Sequence, residues 1–258
     1  MLKMAAKEDM ARLEQFCSKY PIGTRIACCM SAYGFDRDFF YVWFSKDSSG
    51  DINAVIGSFF DAVTVCANDS ADFKEISEFI NMYGYDSVCG EAETILSLGF
   101  SAEVTKRMFR YCRAVPYSAV LSCDESKLKS AYELICSVIP NSFSSDKDAY
   151  FAWLSDFTFR QKRSLARIKA VCVEETVQSC ALTAAESSFA AIISGVACDP
   201  AIQGKGLGKN TVLSLVDELA NENKQVYVIA LNDSAGAFYE KIGFKQCCKI
   251  AYVNNSKR

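Results

Sequence analysis

Histidine is absent from the 258 residues, and that absence excludes more chemistry than any single residue that is present. Without imidazole there is no Ser-His-Asp or Cys-His nucleophile pair, no HExxH zinc helix and no histidine general base. Chemistry is left to carboxylates, thiols, tyrosine, lysine and backbone amides. No apolar run approaches the ~20 residues that span a bilayer, so no membrane partner is expected. Neither half has a basic excess: residues before Val115 carry 12 basic and 16 acidic side chains, and the rest carry 16 and 15. With a net charge of −3, the chain lacks the electrostatic footprint of a nucleic-acid binder. The thirteen cysteines contain no C-x-x-C spacing, which excludes a zinc ribbon and a thioredoxin-type motif and predicts no metal. Their odd number, and an N-terminus (Met1 to Lys19) charged throughout, predict a cytoplasmic protein with reduced thiols. Each cysteine reads as a small buried hydrophobe. The neighbours Cys28/Cys29 and Cys247/Cys248, if set in strands, point to opposite faces.

The length suits two domains better than one core. Leu2, Ala6, Met10, Leu13 and Cys17 recur at helical spacing and predict one amphipathic helix. Thr24 to Met30, Phe39 to Phe44 and Ile52 to Cys66, the last broken near Ser58 to Asp61, read as strands. A helix over Asp72 to Tyr83 follows, then strand, helix and strand between Tyr85 and Arg113. Pro116 forces its predecessor toward extended geometry, and the boundary is placed there, giving domains 1–114 and 115–258. The second domain begins with a short strand (Tyr117 to Ser122) and helices at Glu125 to Val138 and Asp146 to Phe159. Strands at Ser164 to Glu174, Val177 to Ala185 and Phe189 to Cys198 come next. After a glycine-rich loop, a helix buries Val212, Leu215, Val216 and Leu219. Strand Gln225 to Ala230, helix Ser234 to Lys241 and a β segment from Phe244 to Val253 complete the chain. Tyr150, Trp153 and Phe157 form a stripe that reads first as core, and Arg160, Lys162 and Arg163 read as a solvated helix end.

Chemistry concentrates in Gly195-Val-Ala-Cys-Asp-Pro-Ala-Ile-Gln-Gly-Lys-Gly-Leu-Gly-Lys209, where a strand runs through a turn into a helix. Such a turn aims unpaired backbone N–H groups and the positive end of a helix dipole at one spot, an anion site suited to phosphate or pyrophosphate. Gly204, Gly206 and Gly208 remove the Cβ atoms that would hold phosphate oxygens away, and Lys205 and Lys209 add charge. A Walker A loop does not fit, because three residues, not four, separate Gly204 from Gly208-Lys209, and Asn210 follows. A Rossmann fingerprint does not fit either, because the glycines fall as G-x-G-x-G.

The stretch Gln203-Gly204-Lys205-Gly206-Leu207-Gly208 resembles the Gln-x-x-Gly-x-Gly loop of the GCN5-related N-acetyltransferases (GNAT). Asn232 to Phe244, with Phe238-Tyr239 ahead of Gly243-Phe244, is similar to the second signature of that family, and the two stand in the expected order. The resemblance covers residues 117–253. It implies an α/β (α+β) architecture, the acyl-CoA N-acyltransferase fold, in which helices flank a mixed, mostly antiparallel sheet. The first domain is then an additional α/β domain. Leu98-Gly99-Phe100 echoes Ile242-Gly243-Phe244, which raises the reading of that domain as a degenerate copy with Ile95 opposite Tyr239; the alternative is an unrelated α/β domain.

The resemblance further implies that acetyl-CoA lies between two splayed strands. Its pyrophosphate rests on the amides of Gln203, Gly204, Lys205, Gly206, Leu207, Gly208 and Lys209, and its pantetheine arm pairs with the backbone of Val196, Ala197 and Cys198. An amide near Val196 or Ala197 faces the thioester carbonyl, a contribution commonly worth a few kcal/mol. Asn232 and Phe238 contact the cofactor, and Asn232 also caps its helix. Tyr239 protonates the leaving thiolate, a phenol of pKa about 10 serving a thiol of about 8.5. The general base stays unassigned: the strand position that carries a glutamate in some members falls near Ile192, and Glu186 and Asp199 read as a solvated turn residue and a helix-entry residue. The expected function is transfer of acetyl from acetyl-CoA to a primary amine of a small molecule or peptide. A non-catalytic acyl-CoA-binding or regulatory module, and transfer of a longer acyl or aminoacyl group, are the alternatives. The sequence leaves room for a homodimer.

Overall fold

A computed structural model describes residues 1–120, 125–139 and 143–255. The chain divides into two compact units. The first holds Met1–Phe109, Ala230–Gly236 and the C-terminal segment from Gln246; the second holds Arg110–Ile229 and Ala237–Lys245.

In chain order the elements begin with β1 (Lys3–Met4), α1 (Met10–Cys17), α2 (Gly23–Tyr33), β2 (Phe40–Lys46) and β3 (Ile52–Phe59). Then come β4 (Ala62–Ala67), α3 (Phe73–Tyr83), β5 (Ser87–Glu91), α4 (Ala92–Ser97) and β6 (Val104–Tyr111). After β6 stand α5 (Leu128–Val138), α6 (Lys147–Gln161), β7 (Ile168–Val173), β8 (Thr176–Glu186) and β9 (Ala190–Cys198). The last four are α7 (Leu207–Asn221), β10 (Gln225–Ile229), α8 (Asp233–Lys241) and β11 (Phe244–Asn254).

The first unit is a sheet in the order β1-β2-β3-β4-β5-β11-β6. Strands β2, β3 and β4 run antiparallel. The chain then crosses over through α3, so that β5 lies parallel to β4, and the C-terminal strand adds antiparallel to β5 from Ile250↔Glu91 to Asn254↔Ser87. Ile56, Val63, Val65, Val88, Ala251 and Val253 on one sheet face bury Ile76 and Ile80 of α3 and Ile95 of α4. Asp72 starts α3 by accepting the Glu75 amide at 2.9 Å, a side-chain N-cap.

The second unit is built to the same plan. Strands β7, β8 and β9 are antiparallel, α7 crosses over, and β10 lies parallel to β9. Helices α5 and α6 cover one face, with Leu128, Ala131, Ile135 and Phe157 against Ile168, Val177, Leu182 and Ala197.

Several expectations need correction. Thr24 to Met30 is helix α2, not a strand. Seven of its eleven residues are buried, so no polar side reveals the helical period, and the β-branched Thr24 and Ile26 favour strand locally. Cys28 and Cys29 therefore lie on a helix. The N-terminal periodicity holds only for α1: Lys3 and Met4 pair with Phe44 and Trp43 as β1, and Asp9, buried, accepts the Ala6 amide at 2.9 Å where the chain turns. Residues 117–120 form no strand, and Leu121 and Ser122 lie outside the described residues. Arg160 is no solvated end: it is 7% exposed, paired with Asp156 at 2.6 Å and donating to the Ala184 carbonyl at 3.1 Å. Phe157 of the aromatic stripe is fully buried, while Tyr150 and Trp153 are partly so.

Candidate active site: an open strand edge and a glycine loop

Strand β9 is paired along one edge with β8 as far as Cys198↔Ser179. Along its other edge β10 pairs only from Gln225↔Ala190 to Val228↔Ile193. The five residues Ser194 to Cys198 thus present a backbone edge with no strand on it, and unpaired strand edges are templates for extended polar chains. Gly195 marks where the pairing changes. Its φ is +55°, and the register of β8 on β9 slips between Cys180 and Leu182, the signature of a bulge. A Cβ at Gly195 would sit 2.9 Å from Ile135 Cδ1 and 3.0 Å from Leu182 Cγ, so glycine also permits α5 to lie this close.

Beyond Cys198 the chain makes one 3-10 turn, Pro200–Ile202, capped by Asp199, whose carboxylate accepts the Ala201 amide at 2.9 Å. Asp199 is the helix-entry residue the sequence suggested. Gln203 folds back and its Nε2 donates to the Cys198 carbonyl at 3.2 Å, tying the loop to the end of β9. Gly206 is the N-cap of α7, with φ +83° and no side chain to occupy the helix amides. Among the described residues, no amide from Gln203 to Lys209 donates to a backbone carbonyl. The Gly208 amide donates to the Cys198 thiol, and burial pushes that thiol up from its ordinary value. A Cβ at Gly204 or Gly206 would meet nothing within 4 Å, so no protein atom crowds these two positions. Such a set of amides is the donor array an anion requires.

The two lysines separate in role. Lys205 is exposed, whereas Lys209 Nζ donates to the Pro116 carbonyl at 2.9 Å. Behind the loop, Ser179 and Thr211 share a buried hydrogen bond of 3.1 Å, and Thr211 also donates to the Leu207 carbonyl at 2.9 Å. These hydroxyls fasten the first turn of α7 to β8; nothing local in the sequence signals them.

Asn232 Oδ1 accepts the Ala235 amide at 2.9 Å and so caps the helix as expected. Tyr239 is buried, 7% exposed, with its ring 5.3 Å from Phe238 and 5.7 Å from Phe244. Burial raises its phenol well above the ordinary value, which keeps it protonated throughout the neutral range.

None of the three positions considered for a base supplies one. Ile192 is buried and Asp199 is engaged as a cap. Glu186 is not a solvated turn residue: it is fully buried, 2.6 Å from Arg167 and 2.7 Å from Lys224. Arg167 also reaches Glu218 and Glu222, and Lys169 pairs with Glu218. The six charges balance at the C-terminal end of α7, opposite its glycine-capped start.

Among the described residues there is no group of three or more metal-ligating side chains, and no helix is long and apolar enough to cross a membrane.

A family model described as FR47-like protein matches residues 171–253, which contain β8, β9, the glycine loop, α7, β10 and α8. The chain carries this GNAT-related segment and has the fold of the GCN5-related N-acetyltransferases. A solved structure described as a tandem GNAT protein from the clavulanic acid biosynthesis pathway is 10% identical, with a TM-score of 0.62 over 98% of this chain and 97% of that one. A GCN5-related N-acetyltransferase from Sphaerobacter thermophilus is 12% identical, with a TM-score of 0.60 over 98% and 94%. An acetyltransferase of the GNAT family from Colwellia psychrerythraea is 10% identical, with a TM-score of 0.58 over 99% and 100%. At such identities the likeness is one of fold. No curated relative matches the sequence.

Proposed function

We propose that this chain is an acetyl-CoA-dependent N-acetyltransferase whose cosubstrate site lies in the second unit. Acetyl-CoA supplies the acetyl group as an activated thioester. The amides of Gln203 to Gly208 and the Lys205 ammonium bind the pyrophosphate, and the open edge of Val196 to Cys198 takes the amide-bearing arm as an extra strand. An amide at Val196 or Ala197 orients and polarises the thioester carbonyl. Tyr239 holds the proton that the leaving thiolate takes, and Phe238 lines its approach. The acceptor amine attacks directly, so a chain without histidine suffices. The first unit, with the same strand plan and Leu98-Gly99-Phe100 in the place of Ile242-Gly243-Phe244, is a degenerate copy of the catalytic one. The observation that carries the reading is the end of β9–β10 pairing after Ile193, which leaves an open strand edge that leads into a glycine loop whose amides make no backbone hydrogen bond among the described residues.

The second reading, a non-catalytic acyl-CoA-binding module, is favoured by one observation: Glu186 at the end of β8 and Asp199 just beyond β9 are both engaged, and Ile192 on β9 is apolar, so none of the three serves as base. Calorimetric titration with CoA, together with thiol release from acetyl-CoA against a panel of amines, decides between them. The enzyme reading expects binding and turnover, with turnover reduced by Tyr239→Phe. Binding without turnover on any amine establishes the module, and absence of binding overturns both.

A further inference from the structure

The two-residue turn between β3 and β4 places an aromatic ring where the backbone calls for glycine. Phe59 and Ala62 close the hairpin, and Phe60, the first turn residue, has φ +48°. Hairpin turns of this kind usually hold glycine at that position, and a bulky residue there is an outlier that asks for a reason. Folding of the turn does not supply one. The Phe60 amide donates to the Phe39 carbonyl and the buried Ser58 hydroxyl donates to the Phe60 carbonyl, each at 2.6 Å; both bonds use only the Phe60 backbone. The ring itself is 64% exposed.

The ring is the outermost of a cluster. It stacks on Phe39 at 5.3 Å and 17° and meets Phe59 edge-on at 5.0 Å. Phe39 and Phe59 in turn meet Tyr33 at 5.2 and 5.5 Å. The chain beside these rings is acidic: Asp36, Asp38 and Asp61 are exposed, against the single Arg37. Neither Asp36 nor Asp38 joins an ion pair among the described residues.

Aromatic faces and carboxylates attract the same kind of group, a cation with an apolar stem. We propose that this face of the first unit docks a cationic segment of a partner protein. Its arginine or lysine side chains lie on Phe60 and Phe39 and pair with Asp36 and Asp38. The assignment is independent of the acetyltransferase reading, since it uses no residue of the second unit.

Binding of fluorescein-labelled (Gly-Arg)4 and (Gly-Glu)4 peptides to the full-length protein, followed by anisotropy, tests it. The arginine peptide is expected to bind, more weakly as salt rises, and the glutamate peptide not to bind. Phe60→Gly should weaken binding ~10-fold while Tm holds or rises by about 2–4 °C, because glycine relieves the turn. Asp36→Asn with Asp38→Asn should flatten the salt dependence. Undiminished affinity in Phe60→Gly overturns the proposal, as does a fall in its Tm, which would make the ring a packing element. A concentration-dependent dimer abolished by Phe60→Gly also overturns it, by seating a second copy on this face.

Discussion

Two turns in this molecule occupy the same place in the same strand plan and do opposite things with their amides. In the first unit β4 passes through Asn68-Asp69-Ser70-Ala71-Asp72 into α3. In the second β9 passes through Asp199 to Gly206 into α7. The first turn is self-contained: Asn68 Oδ1 accepts the Ser70 amide at 3.0 Å and Asp72 accepts the Glu75 amide at 2.9 Å. The second satisfies only its opening, where Asp199 accepts the Ala201 amide at 2.9 Å; it then ends on a glycine with no side chain to accept anything, and among the described residues no amide from Gln203 to Lys209 reaches a backbone carbonyl. Both parallel pairings contain four residue pairs, yet β4 ends two residues beyond its last pair and β9 five. Acidic caps and an anion exclude each other at one helix start, so unit one has the topology of the site without its electrostatics. On the proposed reading a fold alone does not make a phosphate cradle; amides left without a backbone acceptor do.

The largest effect is expected where the second unit differs most from the first, at the far end of its crossover helix. Helix α3 is held by Ile76 and Ile80, whereas α7 is also held by the charges around the buried Glu186. Glu186→Ala removes the one fully buried carboxylate shared by Arg167 and Lys224, which keep Glu222 as a partner, and should cost about 3 kcal/mol in denaturant unfolding; a loss below ~1 kcal/mol would show the network to be ornamental. The pH dependence has a definite sign. Hydrogen bonds from Arg167, then Lys224, hold the Glu222 carboxyl down at about 2, below its unfolded value of about 4.3. Its contribution is therefore present above that value and lost as pH falls toward 2. Glu91 of the first unit moves the other way, raised mainly by burial, so its contribution is present in acid and lost as pH rises. Hydrogen exchange at pH 3 should accordingly open the end of α7 before β5.

Next in size is Gly206→Val. A β-branched residue at φ +83° is strained, and its side chain enters the space before the amides. CoA affinity should fall ~100-fold, read by calorimetry; an unchanged Kd would remove the phosphate from this loop. Tyr239→Phe should lower kcat by ~10–100-fold with CoA affinity retained, since the ring stays in place between Phe238 and Phe244. Because burial raises the phenol, wild-type activity should not decline with alkali until above pH 10, and a decline near pH 8 would assign the proton to another group.

What the sequence disclosed follows from where each constraint is written. The glycine loop is a local backbone requirement, and spacing alone exposes it. The alternating strands and capped helices of the second unit are equally local, and their bounds fall within a few residues of the elements observed. The bulge at Gly195 is absent from the sequence reading, because the slip that defines it lies between Cys180 and Leu182 of the neighbouring strand. Glu186 defeated local reading because its cations lie 19 and 38 residues away, and Arg160 because its burial depends on the Ala184 carbonyl of another element. Helix α2 defeated it because burial on nearly every side erases the period on which helix recognition depends. The turn from β4 into α3, having no motif, could only be matched to the glycine loop once α3 and α7 occupied equivalent places in the strand plan.

The smallest expected effect is the sharpest test of that equivalence. Asp72→Ala removes the cap of α3 and should cost about 1 kcal/mol, with CoA affinity in the second unit untouched. Asp72→Gly, combined with Asn68→Gly, frees the amides that Asp72 and Asn68 now satisfy. If satisfied amides are what silence the first turn, this pair should create weak, salt-sensitive binding of inorganic pyrophosphate in a protein whose second site is closed by Gly206→Val. If the short overhang of β4 is what matters, the freed amides will bind nothing. Strand length, not charge, would then be the difference between the two turns.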